Sequence, residues 1–390
     1  MVSHVHDWLE LLFRWAHLIT GVAWIGASFY FNWLENHLER SASGNREGIA
    51  GHLWAIHGGG FYYLEKYRVA PDSLPPELHW FKWEAYMTWV TGVALLVLVY
   101  YLGAESYLID PRVAELSPAV AIGIGVGALV VSWLVYDGLC RSPLGGRPGV
   151  LSAVIAVLLV VLSFGLTQVF GGRGAFIHVG AAIGTIMVAN VFFVIIPNQR
   201  DLVAAVRHGR DPDPAKGQAG LTRSRHNNYF TLPVLFVMIS SHYPNTYAHA
   251  WNWVVLALIM AGGVAVRHYF NVRHLPGRKV WILPVGAAFL LAAFLITMPR
   301  SGDQAASEDA DTSPVTTEAA WAIVENRCLA CHAADAGQGG IRFTDPADLE
   351  RQASAVARVV RSGQMPPGNA TGITDEERRR LVRWFEQMDE

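Results

Sequence analysis

The chain reads as an all-α protein: an eight-span transmembrane helical bundle followed by a small soluble helical domain. Three observations predict this. Hydrophobic residues make up 52% of the 390 and charged residues only 16%, too apolar a balance for a water-soluble protein of this size. Apolar runs recur before residue 300, and a hydrocarbon core of roughly 30 Å takes about 20 helical residues to cross. After residue 315 the pattern changes to amphipathic helices around a short cysteine motif.

The eight runs cover residues 9–31, 83–102, 118–136, 149–170, 175–196, 229–243, 251–266 and 280–298. The sixth and seventh are short for a span. Gly123, Gly125 and Gly127 give the small-residue spacing that lets helices approach closely in lipid. Lys and Arg placement orients the bundle. The first connection carries Arg40, Arg46, Lys66, Arg68 and Lys82, and the third Arg141 and Arg147. The fifth carries Arg200, Arg207, Arg210, Lys216, Arg223 and Arg225, and the seventh Arg267, Arg273, Arg278 and Lys279. The alternate connections carry only Arg112 and Arg173. Odd connections are therefore expected in the cytoplasm and both termini outside. The first apolar run is long and lacks a basic start, so no cleavable signal peptide is expected. The lipid bilayer is the partner that composition implies and no nucleic-acid partner is expected, though the net charge of −2 says nothing about partners by itself.

The domains expected are residues 1–299, a flexible linker at 300–315 rich in Ser, Asp, Ala, Gln and Thr, and residues 316–390. The third contains Cys328-Leu329-Ala330-Cys331-His332, a C-x-x-C-H motif. Two thiols so spaced add across the vinyl groups of a c-type haem, and the following histidine becomes an axial iron ligand. A zinc site would want further Cys or His, and none follows His332. Met365, in Gly363-Gln364-Met365-Pro366-Pro367, is the expected second ligand, and thioether opposite imidazole raises the iron potential. The metal ligands are thus His332 and Met365. Helices are expected over 317–326, 346–362 and from 374, where Thr374 and Glu377 form a capping box. Leu381, Trp384, Phe385 and Met388 share an apolar face, so Met388 reads as core. The arrangement is that of a class I-like cytochrome c domain, and covalent haem staples a fold this small. Such haem is attached on the outer side of a bacterial inner membrane, in agreement with the charge-based topology. Cys140 reads as a lone thiol.

Ionisable groups at membrane depth are candidates for function. His17 lies about nine residues into the first run, near mid-membrane at roughly 1.5 Å per residue. His178 lies near the outer end of the fifth. Imidazoles facing each other across a bundle can hold a b-type haem; hydrogen bonding to neighbouring helices is the other reading. The first connection holds Trp54-Ala55-Ile56-His57-Gly58-Gly59-Gly60-Phe61-Tyr62, where three glycines permit close approach to a ligand. Aromatic residues also crowd membrane interfaces. Trp83-Glu84-Ala85-Tyr86-Met87-Thr88-Trp89 follows, and Arg225-His226-Asn227-Asn228 opens the sixth run with charge and amides.

Those three segments, the last continuing as Tyr229-Phe230-Thr231-Leu232-Pro233, together resemble the bacterial membrane-bound urate oxidases, which join an eight-span membrane domain to a C-terminal cytochrome c domain. The resemblance covers essentially the whole chain. It implies oxidation of urate to 5-hydroxyisourate, with electrons passing to the haem and on to a terminal oxidase or soluble cytochrome, and no hydrogen peroxide. Urate is planar and anionic, and would want aromatic stacking, a cation and amides. The pocket is then expected near the cytoplasmic face among His57, Glu84, Arg225, His226 and Asn227, with His57 or Glu84 as proton acceptor. Such a pocket is about 30 Å from an outer haem, too far for one efficient electron step. Either the pocket lies deeper or further out, or a second cofactor bridges the gap. The His17 region also resembles the first helix of small membrane protoporphyrinogen oxidases, in line with a bridging haem. The alternatives are a membrane-anchored cytochrome relay, or an oxidoreductase for another planar donor such as a porphyrinogen or quinol.

Overall fold

The computed structural model describes residues 2–41, 47–277, 279–298, 314–333, 341–361, 363, 365–366 and 371–388. Most of the expected linker, 300–313, lies outside the described residues.

The chain opens with α1 (Val2–His37), then a hairpin of β1 (Ile49–His57) and β2 (Gly60–Tyr67). Next come α2 (Trp83–Leu95), running on as a π-helical turn over Leu96–Tyr101, and the short α3 (Ala104–Tyr107). Helices α4 (Pro118–Arg141) and α5 (Pro148–Thr167) follow. Helix α6 (Gly172–Ala189) continues through a second π segment, Asn190–Ile195, into α7 (Ile196–Arg207). The bundle closes with α8 (Pro214–Ser240), the short α9 (Pro244–Tyr247), α10 (Asn252–Val272) and α11 (Ile282–Ile296). One end of the bundle bears the hairpin and the other leads to the linker.

Among the described residues, five helices are long and apolar enough to cross a membrane: Trp83–Tyr101, Pro118–Arg141, Pro148–Thr167, Gly172–Arg207 and Asn252–Val272. Ile282–Ile296 is a shorter apolar helix. Helices α1 and α8 have ample length, 36 and 27 residues, but carry more polar side chains. The apolar run expected at 229–243 is only the second part of α8. From 229 to the helix end at 240 it rises about 18 Å, so the polar part around Arg223 to Asn228 must supply the rest of any crossing. Helix α6 is the hub: two-thirds of its most apolar stretch is buried inside the protein, against a third or less in the other four. Phe176, Val179 and Ile183 of α6 are wholly buried with Phe170, Val237 and Leu256.

The hairpin corrects the all-α expectation. His57 pairs with Gly60 across a two-residue turn in which Gly58 and Gly59 have φ of 57° and 81°. Such turns match strand twist and need positive φ at both positions, which glycine adopts without strain. The glycines read from sequence as a ligand approach therefore make a turn. One face of the hairpin carries Trp54, Ile56, Phe61 and Tyr63, all exposed.

In the C-terminal domain, the helices Thr317–Arg327 and Asp375–Met388 pack around Ala320, Val324, Leu349, Leu381 and Trp384. The capping box forms: Thr374 N donates to Glu377 Oε2 at 2.8 Å and Glu377 N to Thr374 Oγ1 at 3.1 Å. The same Glu377 takes an ion pair from Arg327 at 3.0 Å, tying the two helices. The middle helix is two pieces, Pro346–Arg351 and Ala353–Arg361, broken where Gln352 leaves helical geometry (φ −112°, ψ 12°). Met388 is 48% exposed and is not core, because it sits at the last helical residue, beyond the packing partners of Leu381 and Trp384.

The three glycines of α4 are not equivalent. A Cβ on Gly125 would lie 2.6 Å from His178 Nε2 and 3.0 Å from Tyr101 Oη, while Gly123 and Gly127 face open space. Gly125→Val is expected to cost about 1–3 kcal/mol by overpacking, whereas Gly123→Val and Gly127→Val leave the packing intact. Thermal unfolding in detergent should show a lowered midpoint for Gly125→Val alone; equal midpoints for the three would refute this packing.

Candidate functional site

The cysteine motif occupies a short helix, Leu329–His332, that Cys328 opens. Burial, with Cys331 adding to it, pushes the Cys328 thiol up to about 11, so the free thiol is neutral at pH 7. His332 Nδ1–H donates to the Ile341 carbonyl at 3.1 Å. That bond fixes the tautomer and leaves Nε2 for iron, the usual arrangement behind a ligating histidine. Met365 lies in a loop anchored by its own backbone: its N–H donates to Val359 O at 3.1 Å and its carbonyl accepts from Arg378 Nη1 at 2.7 Å. These residues fit a c-type haem held by Cys328, Cys331 and His332, with Met365 as the second ligand; the haem would supply one-electron acceptance.

At the hairpin end of the bundle lies a buried polar cluster. Arg223 of α8 donates to Asp137 Oδ1 at 2.6 Å and to Asn190 Oδ1 at 3.1 Å, with its guanidinium 5.0 Å from the Tyr136 ring centre. Asn190 Nδ2 donates to Tyr136 Oη and to Asn227 Oδ1. Tyr136 meets His226 Nδ1 at 2.7 Å, and Asn227 Nδ2 reaches Met187 O. Asn190 begins the second π segment, and such bulges turn a side chain out of helical register, often where a site is built. Beside it, Asn228 Oδ1 accepts from Arg267 Nε and Asn271 Nδ2, both at 2.8 Å.

Of the five residues expected to share a pocket there, the structure brings His226 and Asn227 together. Arg225 is exposed, because two residues' step along α8 turns it away from the face that buries Arg223. His57 stands exposed at the hairpin turn. Glu84 is half-buried in the first turn of α2, where its carbonyl accepts from Thr88 Oγ1. Sequence reasoning treated Arg223 as a topology anchor and passed over Tyr136, Asp137 and Asn190. A lone amide inside an apolar run, as Asn190 is, was the available signal.

His178 does not fit a b-type haem, whereas His17 is bonded through Nδ1, the arrangement found behind a ligating histidine. His178 is fully buried, and both ring nitrogens are used: Nδ1–H donates to Gly174 O at 2.8 Å and Nε2 accepts from Tyr101 at 3.2 Å. His17 Nδ1 bonds Thr88 O and Thr91 Oγ1, each at 3.0 Å, with its ring against Gly92. Each histidine locks two helices, the other reading of the sequence. No three His, Cys, Asp or Glu side chains converge into a metal site among the described residues.

At the linker end a cleft of about 700 Å³ opens between the bundle and the C-terminal domain. Arg112, Arg173 and Asn252 line it on one side, and Arg361, Gly363 and Arg378 on the other. Arg173, the second residue of α6, holds its guanidinium 4.9 Å from the Tyr107 ring centre and 6.0 Å from that of Tyr100.

A family model described as urate oxidase N-terminal matches residues 3–298. A second, described as cytochrome C oxidase, cbb3-type, subunit III, matches residues 315–385. Searches of curated proteins and of solved structures give no match.

A haem assay on the purified chain should find one covalent haem, and no second haem ligated by His178, whose two ring nitrogens are both bonded. Met365→Ala should retain that haem while losing the thioether and lowering the potential. A second haem whose iron is ligated by His178 would contradict the assignment of His178 to packing.

Proposed function

The chain belongs to the urate oxidase N-terminal family, and from that premise we propose that it oxidises urate to 5-hydroxyisourate and passes the electrons to its own c-type haem. The observation that carries this reading is the fusion: a domain of that family continues, in one chain, into a cytochrome domain whose His332 meets the Ile341 carbonyl through Nδ1. An enzyme that gave its electrons directly to oxygen would have no use for the second domain.

The reaction balances with water as the oxygen source. Urate and one water give 5-hydroxyisourate, two protons and two electrons. The haem takes one electron at a time, so each urate fills it twice, with reoxidation between by a terminal oxidase or soluble cytochrome. No oxygen is consumed at the substrate and no hydrogen peroxide is formed. The membrane domain's part is to hold urate flat, match its charge and let two protons leave. We place the chain in a bacterial inner membrane with eight crossings, α1 and α8 included. The excess of Lys and Arg in the odd connections supports placing the hairpin end in the cytoplasm and the cytochrome domain outside.

Turnover in water enriched in oxygen-18 tests the reading. Product carrying one label from water, with no peroxide detected, is the expected result. Peroxide in proportion to urate consumed would exclude the cytochrome route.

A further inference from the structure

We propose that the cleft at the linker end is the urate site, with Arg173 as the charge partner of the planar monoanion and the Met365 loop as the electron exit. This rests on the urate reading above and adds the location and the recognising residues.

The cleft, at about 700 Å³, is of the size that small-molecule sites have, roughly 300–1,000 Å³. Its walls are cationic: four arginines, Arg112, Arg173, Arg361 and Arg378, face two carboxylates, Asp110 and Asp375. Two of the arginines are committed to carboxylates. Arg112 holds Asp110 through Nε at 3.1 Å and Nη2 at 2.9 Å, and Arg361 pairs with Glu386. Arg173 is held differently, by the aromatic faces of Tyr107 and Tyr100, and its buried Nε has no hydrogen-bond partner. A guanidinium stacked on rings keeps its charge available to an anion and cannot collapse onto a neighbouring acid. It also lies in the first turn of α6, whose N-terminal dipole favours negative charge.

The other wall reaches the haem. Gly363 stands two residues before Met365, and Arg378 lines the cleft while its Nη1 donates to the Met365 carbonyl at 2.7 Å. A urate against Arg173 therefore sits on the methionine side of the cytochrome. The hydrocarbon thickness of roughly 30 Å, which separates the hairpin end from the haem, does not lie in the path. The hairpin-end cluster has another character. Arg223, Asn190 and Asn227 bond mainly one another, which suits a clamp between helices rather than a receptor.

The test is the anaerobic rate of haem reduction against urate concentration in the full chain. Arg173→Gln should raise the half-saturating urate concentration about tenfold or more, with the limiting rate within roughly threefold of the parent. Arg173→Lys should recover most of the loss, and Arg210→Gln, an exposed charge at the hairpin end, should change neither parameter. An unchanged half-saturating concentration in Arg173→Gln overturns the location while the urate reading stands. Failure of urate to reduce the parent haem overturns the reading and the site with it. If Arg173→Gln does not load haem, Tyr107→Leu, which removes the ring under the guanidinium, carries the test. A raised half-saturating concentration is expected, and no change overturns the site.

Discussion

A charged side chain inside an apolar bundle must find its partners within the protein, and Arg223 shows what that demands. It is 5% exposed. Water is not available to solvate it, and an unpaired charge there would cost several kcal/mol. Asp137 supplies the opposite charge and Asn190 the remaining acceptor. For Asn190 to present its amide, the helix after α6 departs from α geometry at that residue. Asn190 in turn engages Tyr136 and Asn227, so three helices are fixed by one buried charge. Near the other end of α6 the same rule holds for His178, satisfied by Gly174 and by Tyr101 of the first π segment. Both π segments bring a polar group to a partner that a regular helix would have missed.

A frame pinned at both ends leaves chemistry to the surface that meets the cytochrome. Electron transfer weakens steeply with distance, and a membrane is thick on that scale. A substrate site on the side away from the haem would need a relay within the bundle. Of the two histidines best placed for a relay, His178 is spent on packing. A urate in the cleft at the linker end would not need one, because Arg378 lines its far wall and donates to the Met365 carbonyl. The arginine count also makes sense there. Few basic residues mark the even-numbered connections of this chain, only Arg112 and Arg173, and both line the cleft.

In the cytochrome domain the motif and the helix cap were legible because they are local, while the break at Gln352 and the exposure of Met388 were not. Cys328, Cys331 and His332 are adjacent, and the Thr374–Glu377 capping box needs no tertiary context. The apolar helices were legible as runs, but of α8 only the second part, from Tyr229, was. Its polar first half looks like a loop until Arg223 and Asn227 are seen to meet residues from distant helices. His57 and Arg225 misled for related reasons. A run of Gly, His and aromatic residues can be a ligand loop or a hairpin turn, and only strand pairing decides between them. Arg225 and Arg223 are two residues apart, so helical phase, not composition, decides which is buried. The cleft was invisible because no motif marks it: it arises where α6 begins and where a domain some 150 residues later folds back.

The account's central claim is that urate gives its electrons to this chain's own haem. The most direct measurement is a stoichiometric titration under argon, with the purified chain fully oxidised and urate as the only reductant. The account predicts that the reduced c-type haem spectrum develops with two haems reduced per urate added. A haem that stays oxidised in excess urate, yet is reduced at once by dithionite, would contradict it.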